Sequence, residues 1–243
     1  MTTPLLRRAG AAASALAVSL VLVACGGNTN TSAPSATSTP STPSEAAAPT
    51  EDDLAAALLT ADDVPDGYTE AAPDESDNST VFDGTCLADV ADFKEQVGSD
   101  PVSEAKTEFT TQDASGQAQI SSGISVYDDQ AAVDAAFGAF YDSVKDCTNL
   151  SFTDDNGVAY EITVAIDDTV SLDGADQQLG INLDGTVTVG EQMLPIAFVF
   201  LLAQEGAATS AVGTSEIGGS YGINDEVETL AQTQADRLAD VLS

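Results

Sequence analysis

The 243-residue chain contains no histidine. Every Ser-His or Cys-His nucleophile scheme is thereby excluded, as is any histidine metal ligand. Basic residues are almost as scarce, six Lys plus Arg against 40 Asp plus Glu. Cysteine occurs three times, at Cys25, Cys86 and Cys147. Long apolar runs are missing too: Ala11 to Ala24 and Met193 to Leu202 both fall short of the roughly 20 residues needed to span a bilayer.

What is present at the N-terminus is an ordered signal. Arg7 and Arg8 precede the apolar stretch, which ends in Leu22-Val23-Ala24-Cys25-Gly26. A positive start, an apolar stretch of roughly 7–15 residues and a small-residue cut define a secretion signal. A cysteine directly after Ala24 resembles a lipobox, which implies cleavage after residue 24, a diacylated Cys25 as the new first residue, and a lipid-anchored protein on the extracytoplasmic face of the cell membrane. Removing Arg7 and Arg8 leaves four basic residues against 40 acidic ones, a formal charge of −36. Charge of that sign repels phosphate backbones and anionic headgroups, so no nucleic-acid partner is expected and the membrane is held through acyl chains on Cys25 alone. The acids are dispersed along the chain, as on a solvated surface.

Residues 25–50 are rich in Ser, Thr, Pro, Ala and Asn and hold no apolar side chain larger than alanine beyond Cys25. Such a segment buries too little surface to offset its ordering entropy, and reads as a disordered tether with a reach of roughly 25–30 Å. Residues 51–243 are then a single domain. Thr50-Glu51-Asp52-Asp53 is a helix start, with Leu54, Ala55, Leu58 and Leu59 on one face and Pro65 and Asp66-Gly67 as the stop.

Cys86, Val90, Phe93 and Val97 recur at helical spacing, from a start near Asp83 or Thr85. Val133, Phe137, Phe140, Val144 and Cys147 repeat the arrangement after the cap candidates Asp128 and Asp129. In an exported, oxidised chain with Cys25 acylated, one pairing remains, Cys86 with Cys147. The alternative is two separate buried thiols, which a count of free thiols with and without reductant distinguishes.

Thr107 to Thr111 and Gln117 to Tyr127 read as strands around the turn Asp113-Ala114-Ser115-Gly116. Val158 to Ile166 alternates cleanly, and Leu179 to Val189 does so with a turn or bulge expected at Asp184-Gly185. Ile196 to Leu201 is wholly apolar, the pattern of a central strand covered on both sides, and Ala207 to Ile217 follows as another strand. A last helix near Asp225 to Leu242 presents Val227, Leu230, Gln234, Leu238 and Val241. The expected fold is α+β: an antiparallel sheet of about six strands, N-terminal helices, and a central and a C-terminal helix packed on one face.

With these elements in place, Leu58-Leu59-Thr60-Ala61-Asp62-Asp63-Val64-Pro65-Asp66-Gly67-Tyr68 resembles the opening of many actinobacterial envelope lipoproteins. Ile124-Ser125-Val126-Tyr127-Asp128-Asp129, followed by a helix ending at a cysteine, four strands and a final helix, fits the same group. Their folded part is similar to the extracellular sensor domain of the serine/threonine kinase PknH. The resemblance implies an antiparallel sheet with packed helices, a cleft and a ligand-sensing role. Members of that group can carry two disulfides; two cysteines here allow one.

No motif supplies catalysis. Gly218-Gly219-Ser220-Tyr221-Gly222 matches the nucleophile-elbow spacing, without a general base. The acid pairs Asp62/Asp63, Asp128/Asp129, Asp154/Asp155 and Asp167/Asp168 sit at helix starts or in strands, where neighbours point to opposite faces. Asp154-Asp155-Asn156-Gly157 lacks calcium-loop spacing because Phe152 stands where the first acid belongs. The expectation is a non-enzymatic binding or sensing module, with no cofactor or metal, for a small ligand or an envelope protein. A carrier of lipid or another apolar molecule, lined by Phe137, Phe140, Phe198 and Phe200, is the alternative.

Overall fold

A computed structural model describes residues 48–72, 85–87, 93–114, 116–154 and 157–243. The signal sequence, Cys25 and nearly all of the tether therefore lie outside the described residues, as do Asp83, Val90 and Asp155. Among the described residues no helix is long and apolar enough to cross a membrane.

The domain is built on one eight-stranded antiparallel sheet in the order β1-β2-β3-β8-β7-β6-β5-β4. Its strands are β1 (Thr69–Ala71), β2 (Ser103–Gln112), β3 (Gln117–Val126), β4 (Asn149–Thr153), β5 (Ala159–Asp167), β6 (Gln177–Val189), β7 (Gln192–Glu205) and β8 (Ala208–Ile217). The class is α+β as expected, but the sheet is larger than about six strands because both edges extend it. β1 has three residues, too few for alternation to register, and β4 is five residues whose apolar pair Leu150 and Phe152 is easily read as loop.

Helix α1 (Glu51–Ala57) starts with a capping box in which Thr50 and Asp53 satisfy each other's backbone. It ends earlier than Pro65 requires. Leu58 is already extended, and Ala57, not Ala55, is the buried partner of Leu54. Helix α2 (Phe93–Val97) falls within the expected second helix, and residues 88–92 lie outside the described ones. Cys86 lies in a turn and is exposed, not in phase with an apolar helix face. Helix α3 (Gln130–Lys145) is capped by Asp129, whose carboxylate accepts from the N–H groups of Ala131 and Ala132, and it ends two residues before Cys147. A 3-10 turn, Ile223–Glu226, leads into helix α4 (Val227–Leu242).

The two long helices lie on opposite faces, not on one. Ile196 and Phe198 of β7 join the cluster under α3 with Val133, Phe137, Phe140, Ile162 and Leu183. Leu201 and Ala203, of opposite parity along the same strand, join Leu230 and Ala231 of α4 with Ile120 and Val212. The apolar run of β7 therefore records burial from both sides, and α3 and α4 are the two covers. A third cluster joins Leu54, Ala57 and Leu58 to Ile124, Val126, Ala208 and Leu238, seating α1 on the α4 face.

Asp184 and Gly185 form no turn: they stay in register opposite Ala197 and Ile196. The glycine has a packing reason. A Cβ there would stand 2.0 Å from the Glu161 carbonyl oxygen. Cys86 and Cys147 are joined by a disulfide across a sequence separation of 61, tying the turn at 85–87 to the residue beyond α3.

Candidate functional site

The α3-side face changes character along the sheet. Under α3 it is apolar, through Ile162, Val164, Ile181, Leu183, Ile196 and Phe198. On β3 and β8 the same face presents Ser121, Gly123 and Ser125 opposite Gly213, Ala211 and Thr209. Small and hydroxylated side chains there leave a shallow trough at Gly123 and Ala211, whereas Ser125, Thr209 and Gly213 are buried. Ala211 is exposed although β8 is the fourth of eight strands, and Gly123 beside it is only half-buried. A Cβ added to Gly123 would meet nothing nearer than the Ala105 carbonyl oxygen at 4.0 Å. The floor at Gly123 and Ala211 is thus open space at the middle of the sheet.

One wall of the trough is aromatic. The half-buried Phe200 lies across Gly213, where a Cβ would come within 2.8 Å of the ring and 2.7 Å of Ser121 Oγ. The other wall is charged. Glu104, Lys106 and Glu108 of β2 stand opposite Ser125, Gly123 and Ser121. Lys106 Nζ is 3.0 Å from a Glu104 carboxylate oxygen. Burial raises the Glu104 carboxyl above its usual range, with the Lys106 contact opposing that shift. Burial, and then the Glu104 charge, push the Tyr127 phenol at the end of this row up to about 12.

The expected aromatic lining is differently placed. Phe137, Phe140 and Phe198 are buried, and Phe93 of α2 meets the first two edge-on, with centroids 6.4 and 5.9 Å apart. Phe198 stacks on Phe200 at 6.4 Å. Three of the four rings are core, and Phe200 alone borders the trough.

One acid of each pair does local structural work. Asp63 forms a two-pronged ion pair with Arg237, at 2.7 and 2.8 Å, and its carboxyl is lowered to about 2, chiefly by that contact. Asp129 caps α3, Asp154 accepts the Val158 N–H at 2.8 Å, and Asp167 accepts from Thr169. Among the described residues no group of three or more acids or cysteines is placed to hold a metal. Ser220 lies in the loop before the 3-10 turn, and the neighbouring Tyr221 hydroxyl donates to Asp113 at 3.0 Å. Lys94, Lys106, Lys145 and Arg237 each stand in an ion pair.

The sequence alone does not single out the trough. Its only signal is that the second face of two strands, 121–125 and 209–215, is small or hydroxylated throughout, and nothing in the sequence shows that these distant strands pair.

No family model and no curated protein matches the chain. Among solved structures, the extracellular domain of PknH from Mycobacterium tuberculosis matches with a TM-score of 0.50 at 12% identity, over 79% of this chain and 98% of that one. LpqN, described as involved in cell envelope biogenesis of Mycobacterium tuberculosis, aligns at 15% identity over 73% of this chain and 76% of that one, with a TM-score of 0.26. The first match shows a shared fold; the second is too distant in shape to carry an inference.

Proposed function

We propose that this chain is an extracytoplasmic lipoprotein, diacylated at Cys25, whose tethered domain is a non-enzymatic binding or sensing module. The ligand, a small molecule or a segment of an envelope protein, lies in the trough over Gly123 and Ala211. The observation that carries this reading is an exposed alanine at the centre of a wide sheet that carries apolar clusters under α3 on one face and α4 on the other. Central strands are ordinarily covered, and an uncovered floor beside mixed polar and aromatic side chains offers a place for a ligand. Similarity in fold to an extracellular domain supports the location by analogy. One acid of each pair, Asp63, Asp129, Asp154 and Asp167, is engaged in an ion pair, a cap or a turn, which supports a structural use for these four.

Native mass spectrometry of protein purified from its own envelope tests the reading. Wild type is expected to retain a bound mass that Ala211→Trp, which fills the floor, loses. A spectrum without adduct, or an adduct equally present in both, overturns it. The carrier alternative needs space among Phe137, Phe140, Phe198 and Phe200; the first three are buried in one apolar cluster, where Phe93 meets Phe137 and Phe140 edge-on, and Phe200 borders the trough.

A further inference from the structure

The open floor has a buried reverse side. Gly123 and Ala211 face each other across β3 and β8. On the α4 side of the sheet Gln234, 0% exposed, donates from Nε2 to the Gly123 carbonyl at 3.0 Å and to the Ala211 carbonyl at 3.4 Å. Its Oε1 accepts the Ser122 hydroxyl. Ser122 Oγ in turn accepts the Leu59 N–H at 3.3 Å. Three residues further along α4, Arg237 donates to the Leu58 carbonyl at 2.9 Å. Leu58 and Leu59 follow α1 directly, and α1 begins where the expected tether ends.

One amide group thus joins both carbonyls of the trough floor to the segment that seats α1. A buried amide cannot lose its partners without the cost of desolvation, so Gln234 must follow the floor when the floor moves. Its hydroxyl partner Ser122 follows Gln234 or loses that bond, and in following it draws its Oγ away from the Leu59 N–H. Apolar packing alone would let α4 slide over the sheet; this chain of directional bonds does not.

We infer that Gln234 transmits occupancy of the trough to the seat of Leu58 and Leu59, and so to α1 and the tether-bearing end of the domain. The inference rests on the trough being the ligand site. A molecule pressing on the floor shifts the Gly123–Ala211 pair, Gln234 moves with it, and the Leu59 N–H loses its acceptor. A binding event on one face becomes a loosened helix on the other, where the expected tether meets the domain.

A covalent occupant supplies the test without the natural ligand. Ala211→Cys is made in the mature, membrane-extracted chain, whose Cys86 and Cys147 are joined, and the new thiol is alkylated with a bulky maleimide. Amide hydrogen exchange is then followed in residues 54–59, with β5 as the internal reference. Alkylation is expected to speed exchange at 54–59 by about tenfold while β5 is unchanged. In a Gln234→Met background α1 exchanges faster from the start, and alkylation adds less than about twofold. If the thiol reacts and 54–59 does not respond, or responds equally with Gln234→Met, the coupling is wrong and the trough stands. If the folded protein's thiol is inert to the reagent while the urea-unfolded chain reacts, the floor is closed and both readings fail. Gly123→Cys, the facing position, repeats the test should Ala211→Cys not fold.

Discussion

Replacing Arg237 by methionine removes a cation engaged in three hydrogen bonds. Arg237 donates to both Asp63 carboxylate oxygens and to the Leu58 carbonyl, at 2.7 to 2.9 Å. Asp63 would keep its Thr60 contacts at 2.7 Å but lose its counter-charge, with its side chain only 14% exposed. Charge-assisted bonds of this kind are worth about 1.5–3 kcal/mol each in favourable cases. Arg237 is 34% exposed, so solvent screening discounts the total, and a loss of about 2–3 kcal/mol is expected. For a domain of this size that lowers Tm by roughly 5–10 °C.

The same pair fixes a pH dependence. The Asp63 pKa is lowered from 3.8 to about 2 in the folded state. Its contribution is full above the unfolded value near 4 and is lost as pH falls toward 2. A tenfold change in acidity corresponds to about 1.4 kcal/mol, and with screening about 1–2 kcal/mol disappears over that window. Urea denaturation at pH 7 and pH 2.5 measures it. Asp63→Asn should lose less stability between these pH values than wild type, by that amount. An Arg237→Met midpoint shift equivalent to less than about 0.5 kcal/mol, or identical acid sensitivity in wild type and Asp63→Asn, would refute the reasoning.

The disulfide, closing a loop of about 60 residues, is worth about 4 kcal/mol in the chain-entropy model; Cys86→Ser with Cys147→Ser should show that loss in denaturant midpoints, and thiol titration of the unfolded native chain should rise by two on reduction. Phe93→Ala, removing the ring that closes over Phe137 and Phe140, should cost about 3–4 kcal/mol by the same assay. Gly185→Ala places a methyl against the Glu161 carbonyl and should cost at least about 2 kcal/mol, whereas Gly123→Ala, in the open trough, should stay within about 1 kcal/mol of wild type. Equal costs at the two glycines would show that the trough floor is packed.

Much of the element pattern was legible because it depends on local chemistry. Thr50 and Asp129 cap where their side chains predict, and the alternation of β5 and the continuous run of β7 report the burial they have. The errors have a common cause in pairing and packing. Asp184-Gly185 looks like a turn because glycine is the usual turn residue, yet here it makes room for the Glu161 backbone on the neighbouring strand. Cys86 matches a helical phase by spacing but lies in an exposed turn, since a covalent bond to Cys147 holds it and no apolar contact is needed. The two long helices look alike as amphipathic faces; only the parity of Ile196 and Phe198 against Leu201 and Ala203 places them on opposite sides. The trough was the least legible feature. It consists of small residues on strands about 90 residues apart, brought together by the β3–β8 pairing.

The most direct measurement is a crystal structure of the chain purified from its own envelope without denaturation. Electron density from a bound molecule is expected over Gly123 and Ala211, against Phe200 and the Glu104–Lys106 row. Density among Phe137, Phe140 and Phe198, or ordered water alone along the floor, would contradict it.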